Sequence, residues 1–270
     1  MKENNDTGGL DKDSYLILEG REHDGYSYPD LEVCINRLGY NRGQIGDILG
    51  SGLSHAAGIS FSDTALDSSN GKPYIGNIVW ETALLLNLCS GYQTLNLRQF
   101  IDFLSLLDEG RKGRRKVHNA RGNLMDSELL ERVWDEIAGK RHPWRGEWLD
   151  AASWGLNGCY INYDHRIVNK KLVPQKSEPV EGCVREYCHV DLFSANRQGL
   201  PRVKCDAKEF YYYPPTINYS PPEDLRLNAG FIAHSEEVSL RFGVSEPPWS
   251  TTLGVREVRV RDFKEIAELK

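Results

Sequence analysis

Residues 78–107 decide the architecture: Ile78-Val-Trp-Glu-Thr-Ala-Leu-Leu-Leu-Asn-Leu-Cys89, a short break Ser90-Gly-Tyr-Gln-Thr-Leu95, then Asn96-Leu-Arg-Gln-Phe-Ile-Asp-Phe-Leu-Ser-Leu-Leu107. The first run has helical spacing, with Val79, Ala83, Leu86 and Cys89 along one side and Gly91 as its stop. The second opens on a capping-box pattern, Asn96 with Gln99 three residues on. Leu97, Phe100, Ile101, Leu104 and Leu107 form its apolar stripe. Two helices joined by a tight break need a surface to pack on, so the flanking segments must supply it.

Downstream, Ser127–Ala138 reads as a third helix. Asp126 is its N-cap, Gly139 lies just past its end, and Leu129, Leu130, Val133, Trp134 and Ile137 face inward. After Gly139 the helical periods vanish, and aromatics, proline and glycine rise. Gly158–Val168 predicts a hairpin turning near Asp164, and Val180–Cys188 a short helix. Phe210–Tyr213, Leu227–His234, Val238–Phe242 and Gly254–Val260 predict short strands. Upstream, Ser14–Glu19 predicts a strand, and residues 20–72 are loop-rich with a short helix near Leu31–Leu38. Residues 1–13 are polar and read as a disordered segment or an arm. Helices first and strands later give an α+β fold, with 14–270 as one domain.

Bulk properties narrow the function. The 270 residues can bury a core without crosslinks. The net charge of −6 argues against a nucleic-acid footprint over the whole chain, and the local run Arg111-Lys-Gly-Arg-Arg-Lys116 reads as a solvated loop. No apolar run approaches the ~18 residues that span a bilayer, so no membrane insertion is expected. The polar start predicts no signal peptide, hence a cytoplasmic protein, or one associated with a virion or cell surface. The six cysteines are too sparse for a disulfide framework. Cys183, Cys188, His189 and Cys205 do not match a common zinc spacing, and no clustered Asp/Asn/Glu loop implies calcium. Neither a metal nor another cofactor is expected. Ser51 and His55 are close in sequence, but there is no nucleophile elbow, P-loop or dinucleotide fingerprint.

Two segments carry a family resemblance. Val79-Trp80-Glu-Thr-Ala83, Gly91 and Leu95-Asn-Leu-Arg-Gln-Phe100 resemble the V-S-W-x-x-A … G-x-x-L-P-T-x-x-E-W pattern of formylglycine-generating-enzyme-like domains. Leu253-Gly-Val-Arg-Glu-Val-Arg259 resembles their closing strand, L-G-F-R-x-V-R. In that strand Gly254 would allow close packing, Val255 and Val258 would give apolar contacts, and Arg256 would tie to a carboxylate. Pro143-Trp-Arg-Gly-Glu-Trp-Leu-Asp-Ala151, Gln198-Gly-Leu-Pro201 and Asn228-Ala-Gly-Phe-Ile-Ala-His-Ser235 look like variable proteins of diversity-generating retroelements, of the archaeal or archaeal-virus type.

The resemblance covers roughly residues 70–260. It implies a C-type-lectin-like fold of the formylglycine-generating-enzyme subclass, and a non-catalytic display protein that binds a protein or glycan and is open to assembly as a homo-oligomer. The chain departs from the enzymes in two places. Asn96-Leu97 replaces Pro-Thr, and 239–252 lacks the cysteine pair that precedes L-G-F-R. Copper chemistry needs soft thiolates there, so an oxidoreductase or regulator of formylglycine type is the alternative, and a structural virion component the second. Trp144, Trp148 and Trp154 are expected in the core, and Arg145, Glu147 and Asp150 in an ion-pair network joining helix and sheet.

A binding surface needs exposed aromatic and hydrogen-bonding groups on a stiff frame. Residues 211–252 supply Tyr211, Tyr212, Tyr213, Asn218, Tyr219, His234, Ser235, Arg241, Ser245 and Trp249. Ser239 and Arg241 alternate with Val238, Leu240 and Phe242, as on a strand with an inner and an outer face. Adenine-directed mutagenesis turns asparagine-type codons into Tyr, Ser, His, Arg or Gly, but not Glu, Lys or Trp. On that logic Tyr213, Asn218, Tyr219, His234, Ser235, Arg241, Gly243 and Ser245 are the variable candidates. Under the same resemblance Glu236, Glu237 and Trp249 would be fixed neighbours.

Overall fold

The computed structural model describes residues 11–23, 25–39, 42–53, 65–69, 72–76, 78–142, 144–154, 160–206, 209–215, 226–243 and 253–261, with 42, 65–69 and 72–76 as backbone only. Among them are four α-helices: α1 Arg42–Ser51, α2 Trp80–Cys89, α3 Leu97–Arg111 and α4 Ser127–Ala138. The strands are β1 Tyr15–Leu18, β2 Arg21–His23, β3 Tyr26–Tyr28, β4 Leu31–Cys34, β5 Ala65–Ser69, β6 Lys72–Gly76, β7 Arg145–Trp154 and β8 Tyr160–Val168. They continue with β9 Lys171–Pro179, β10 Cys188–His189, β11 Phe210–Tyr213, β12 Leu227–Ala233, β13 Val238–Gly243, β14 Leu253–Gly254 and β15 Val258–Val260.

The main sheet runs β10-β11-β13-β12-β7-β8-β9, with β14 also on β7. It is mixed and mostly antiparallel, the parallel pairs being β11 with β13 and β14 with β7. A smaller sheet, β1-β4-β15, joins the two ends of the described chain. The fold is α+β, with helices packed against this mixed sheet.

Packing on both sides of the sheet explains which helices form. On one side α3 and α4 meet Ala229, Phe231 and Ala233 of β12 and Leu240 and Phe242 of β13. Phe231 sits 5.1 Å from Phe100 and 6.3 Å from Phe210, centroid to centroid; burying one such ring is worth ~1.5–3 kcal/mol. Asn96 caps α3 in a full capping box with Gln99, and Asp126 caps α4 at the backbone N–H of Glu128. On the other side α1 and α2 pack with Trp148 and Ala152 of β7, Leu253 and Val255. Instead of one stripe, α2 buries Trp80, Thr82, Ala83, Leu84, Leu85, Leu86 and Asn87, while Cys89 is exposed. A helix buried around most of its circumference needs no amphipathic period.

Several local expectations are overturned. Leu31–Leu38 is not helical. Its first four residues form β4, all buried between β1 and β15, and pairing on both edges decides the conformation. Val180–Cys188 is irregular up to β10. Gly182 has φ +52°, and long-range partners take the backbone, as when Val184 N donates to Pro201 O at 2.9 Å. The turn expected near Asp164 falls at Asn169 and Lys170, which both have positive φ, so Tyr160–Val168 is one strand. Gly254–Val260 splits into β14 and β15, which belong to different sheets. Within the supposed loops of 20–72, α1 forms despite its three glycines because Ile45 and Ile48 anchor it in the core.

Trp148 is buried and Trp144 half-buried, but Trp154 is 41% exposed, with Arg226 over its ring. The basic run folds onto acids: Arg111, Lys112 and Arg114 surround Asp108, and Arg115 pairs with Glu19. Of the expected N-terminal arm, residues 1–10 lie outside the described residues, while Asp13 accepts from Asn119 and pairs with Arg121. No described helix is long and apolar enough to cross a membrane.

Candidate ligand-binding site

Strand register aligns four strands on the face opposite α3 and α4, open at Tyr211, Tyr213 and Arg241 and covered at its β7 end, where Trp148 joins the core of α1 and α2. Tyr213 lies opposite Arg241, Arg241 opposite Gly230, and Gly230 opposite Trp148. Directly opposed residues point to the same side of a sheet, so β11, β13, β12 and β7 present a row Tyr213–Arg241–Gly230–Trp148. The next row is Tyr211–Ser239–Ile232–Gly146. The alternating partners Phe210, Tyr212, Phe231, Leu240 and Phe242 face the helices and are buried.

Gly230 leaves this face hollow. It has no side chain between Arg241 and Trp148, and a Cβ there would stand 3.5 Å from the Trp148 ring. The result is a cleft of about 520 Å³, within the usual range for a small-ligand site. Trp144, Trp148, Ile232 and Leu253 give its apolar walls, and Asn228, His234, Glu236, Glu237 and Arg241 its polar rim, with Gly243 at the edge. The Trp148 indole N–H donates to Ile78 O at 2.7 Å, which fixes that wall.

One end of the face is an aromatic ladder. Tyr187 stacks on Tyr211 at 5.4 Å and 11°, and lies 4.5 Å from Tyr213, while His189 is 3.9 Å from Tyr211. The Arg241 guanidinium covers the Tyr213 ring at 4.2 Å. Its Nε donates to Ser239 Oγ at 2.7 Å, and Nη2 pairs with Glu237. The Tyr213 hydroxyl donates to Glu237 Oε1 at 3.1 Å. Burial, then the hydrogen bond with Tyr187, raise the Tyr213 phenol above its ordinary value, so this hydroxyl stays a donor at neutral pH. Glu237 therefore organises the rim by accepting from both Tyr213 and Arg241.

The expected site residues divide accordingly. His234, Arg241 and Gly243 line the cleft. Tyr211 and Tyr213 form the ladder, and Ser235 is exposed in the β12–β13 turn. Asn218, Tyr219, Ser245 and Trp249 lie outside the described residues. Tyr212 is fully buried, and so is Ser239, whose hydroxyl is spent on Arg241. Sequence reasoning missed Tyr187, which is 52% exposed, and the tryptophan walls. Gly230 was the available signal, since a glycine inside a strand marks a gap or a close approach.

The thiols are placed differently. Burial pushes Cys34 up to about 11 and also raises Cys89, Cys183 and Cys188. Each therefore favours the thiol over the reactive thiolate. Among the described residues no group of three or more His, Cys, Asp or Glu side chains is arranged to hold a metal ion. No family model, curated protein or solved structure matches this chain.

Proposed function

We propose that this chain is a non-catalytic ligand-binding protein with a C-type-lectin-like fold of the formylglycine-generating-enzyme subclass. Its outward β11-β13-β12-β7 face would be diversified by a retroelement to recognise varied targets at a cell or virion surface. The observation that carries this reading is the face itself. Tyr211, Tyr213, Arg241 and Gly243 share one side of β11 and β13, with His234 in the turn that follows β12, and the other side of these strands is packed core. Side chains on such a face can change while the frame stays fixed. Thiol chemistry of the formylglycine type is the weaker reading, because burial raises the described thiols whose shift is resolved.

Two experiments test it. Randomising Tyr211, Tyr213, His234, Ser235, Arg241 and Gly243 together and selecting on unrelated targets should return folded binders of new specificity; a library that is folded yet yields no binder sinks the binding role. Sequencing the DNA beside the gene should show a reverse transcriptase and a near-copy of the 3′ coding region differing at adenines. Their absence removes diversification and leaves binding to the first experiment.

A further inference from the structure

The charges of the cleft point to a ligand chemistry. Arg241 is already committed: Glu237 neutralises it and Tyr213 covers it. Glu236 is exposed on the rim, and among the described residues its carboxylate makes no ion pair. Lys140 donates to the Glu236 backbone carbonyl rather than to its side chain. With the Glu237–Arg241 pair balanced, Glu236 is the one remaining acid in a lining that also holds Trp144 and Trp148, and the Lys140 ammonium is held at its backbone carbonyl, leaving the carboxylate itself without an ion pair among the described residues. The wider segment agrees in sign, since residues 211–252 hold Glu223, Asp224, Glu236, Glu237 and Glu246 against Arg226 and Arg241, with no lysine. An aromatic wall and a free carboxylate at one mouth are complementary to an organic cation, which gains from the ring face and the charge together. The apolar length of the cleft, Ile232 and Leu253, matches an alkyl stem carrying that head.

We propose that the cleft receives a lysine or arginine side chain of a protein partner, the stem lying against Trp144, Trp148 and Ile232 and the cationic head at Glu236. This rests on the reading of the face as a binding surface and adds the class of group it selects.

The test uses the full chain with Nα-acetyl-lysine methylamide and Nα-acetyl-arginine methylamide as probes, and Nα-acetyl-norleucine methylamide as the neutral comparator. Binding is followed by calorimetry and by tryptophan fluorescence. The cationic probes should saturate and the neutral one should bind about tenfold more weakly or worse, the loss of one charge-assisted contact. Glu236→Gln, at an exposed position, should erase that preference with no change in melting temperature, and Trp144→Leu should weaken both cations. A lysine-containing peptide should compete with the probes, whereas its glutamate counterpart should not. If the norleucine derivative binds as well as lysine, or Glu236→Gln leaves the preference intact, cation selection is overturned while the binding surface survives. If no probe saturates, the inference is overturned, and library selection judges the surface independently.

Discussion

Arg256 and Glu147 meet inside the protein across the two sheets: Nε of the arginine donates to Oε1 at 2.8 Å and Oε2 at 3.0 Å, and both side chains are almost wholly buried. Arg256 lies between β14, on the main sheet, and β15, on the small one, and also donates to the backbone carbonyl of Ile35. Glu136 of α4 and Arg37 complete a quartet of two positive and two negative groups. Burial opposes the Arg256 charge, but Glu147 and Glu136 outweigh it and hold the guanidinium above its ordinary value.

Removing one member strands a buried charge, which costs ~3–5 kcal/mol, a large part of the ~5–15 kcal/mol that stabilises a domain. Arg256→Met should therefore lower the urea midpoint sharply or abolish folding. A loss under about 1 kcal/mol would show that the pair does not hold the sheets together.

Two carboxylates should give opposite pH dependence. Asp164 is raised, by burial first and then by Asp150, against a hydrogen bond from Asn96. The folded state thus holds its proton more tightly than the unfolded chain. Its penalty is absent in acid and grows as pH rises through the elevated value. Asp164→Asn keeps an acceptor for Asn96 and suits the φ of +55°. It should be at least as stable as the parent at pH 7, with the difference closing as pH falls. Burial works against the Asp108 charge, yet hydrogen bonds from Lys112 and Arg111 leave it lowered. Its contribution is full above the ordinary aspartate value and is lost as pH falls through the lowered one. Asp108→Asn should cost up to about 1 kcal/mol at pH 7 and nothing in strong acid. Melting curves from pH 2 to 8, a range of about six units spanning both carboxylates, check both signs.

Gly199 should tolerate no side chain. It has φ +83°, and a Cβ would come within 2.6 Å of the Arg98 backbone in the first turn of α3. Neighbouring Gln198 is buried and holds Pro179 O and Glu181 N. Gly199→Ala combines backbone strain with a clash and should cost more than the ~0.4–1 kcal/mol that a glycine-to-alanine change gains where the backbone permits it. Thermal unfolding of the single variant decides it, and an unchanged midpoint refutes the close approach.

What the sequence showed and what it hid follow one physical line. The caps Asn96 and Asp126 and the end at Gly139 act within a few residues, so they could be read directly. The Arg256 tether to a carboxylate was expected from the resemblance of Leu253–Arg259 to a closing strand, and the structure gives Glu147 as the partner. Leu31–Cys34 and the β14/β15 split were not, because partners far along the chain decide them; the turn at Asn169–Lys170 is local, but an Asn-Lys pair lacks the glycine that usually marks two positive φ angles. The site was legible as a segment but not as a surface. The strands of Tyr211, Arg241 and His234 could be read, yet only the register shows that Gly230 lies between Arg241 and Trp148 and opens the cleft.

That register yields a contrast between faces. Tyr211, His234, Ser235 and Gly243 point outward or stand at the turn, and among the described residues a Cβ at Gly243 meets nothing within 4 Å. His234→Asn, Ser235→Tyr and Gly243→Ser should each move stability by no more than about 0.5 kcal/mol, and Tyr211→Ser, which gives up the stacking on Tyr187 and His189, by about 0.5–1.5 kcal/mol. Tyr212, Phe231 and Leu240 alternate with them and are fully buried. Phe231→Ala should cost ~3–5 kcal/mol and Leu240→Ala ~2–5 kcal/mol through the cavities they leave. The informative measurement is the combined variant of the four outward positions. Tyr211 lies in β11 and His234 in the turn after β12, so their effects should nearly add and the protein should still unfold in one cooperative transition. Loss of cooperativity in that variant, with each single change within these limits, would mean that the outward side chains support one another and that the face is part of the frame rather than a platform for display.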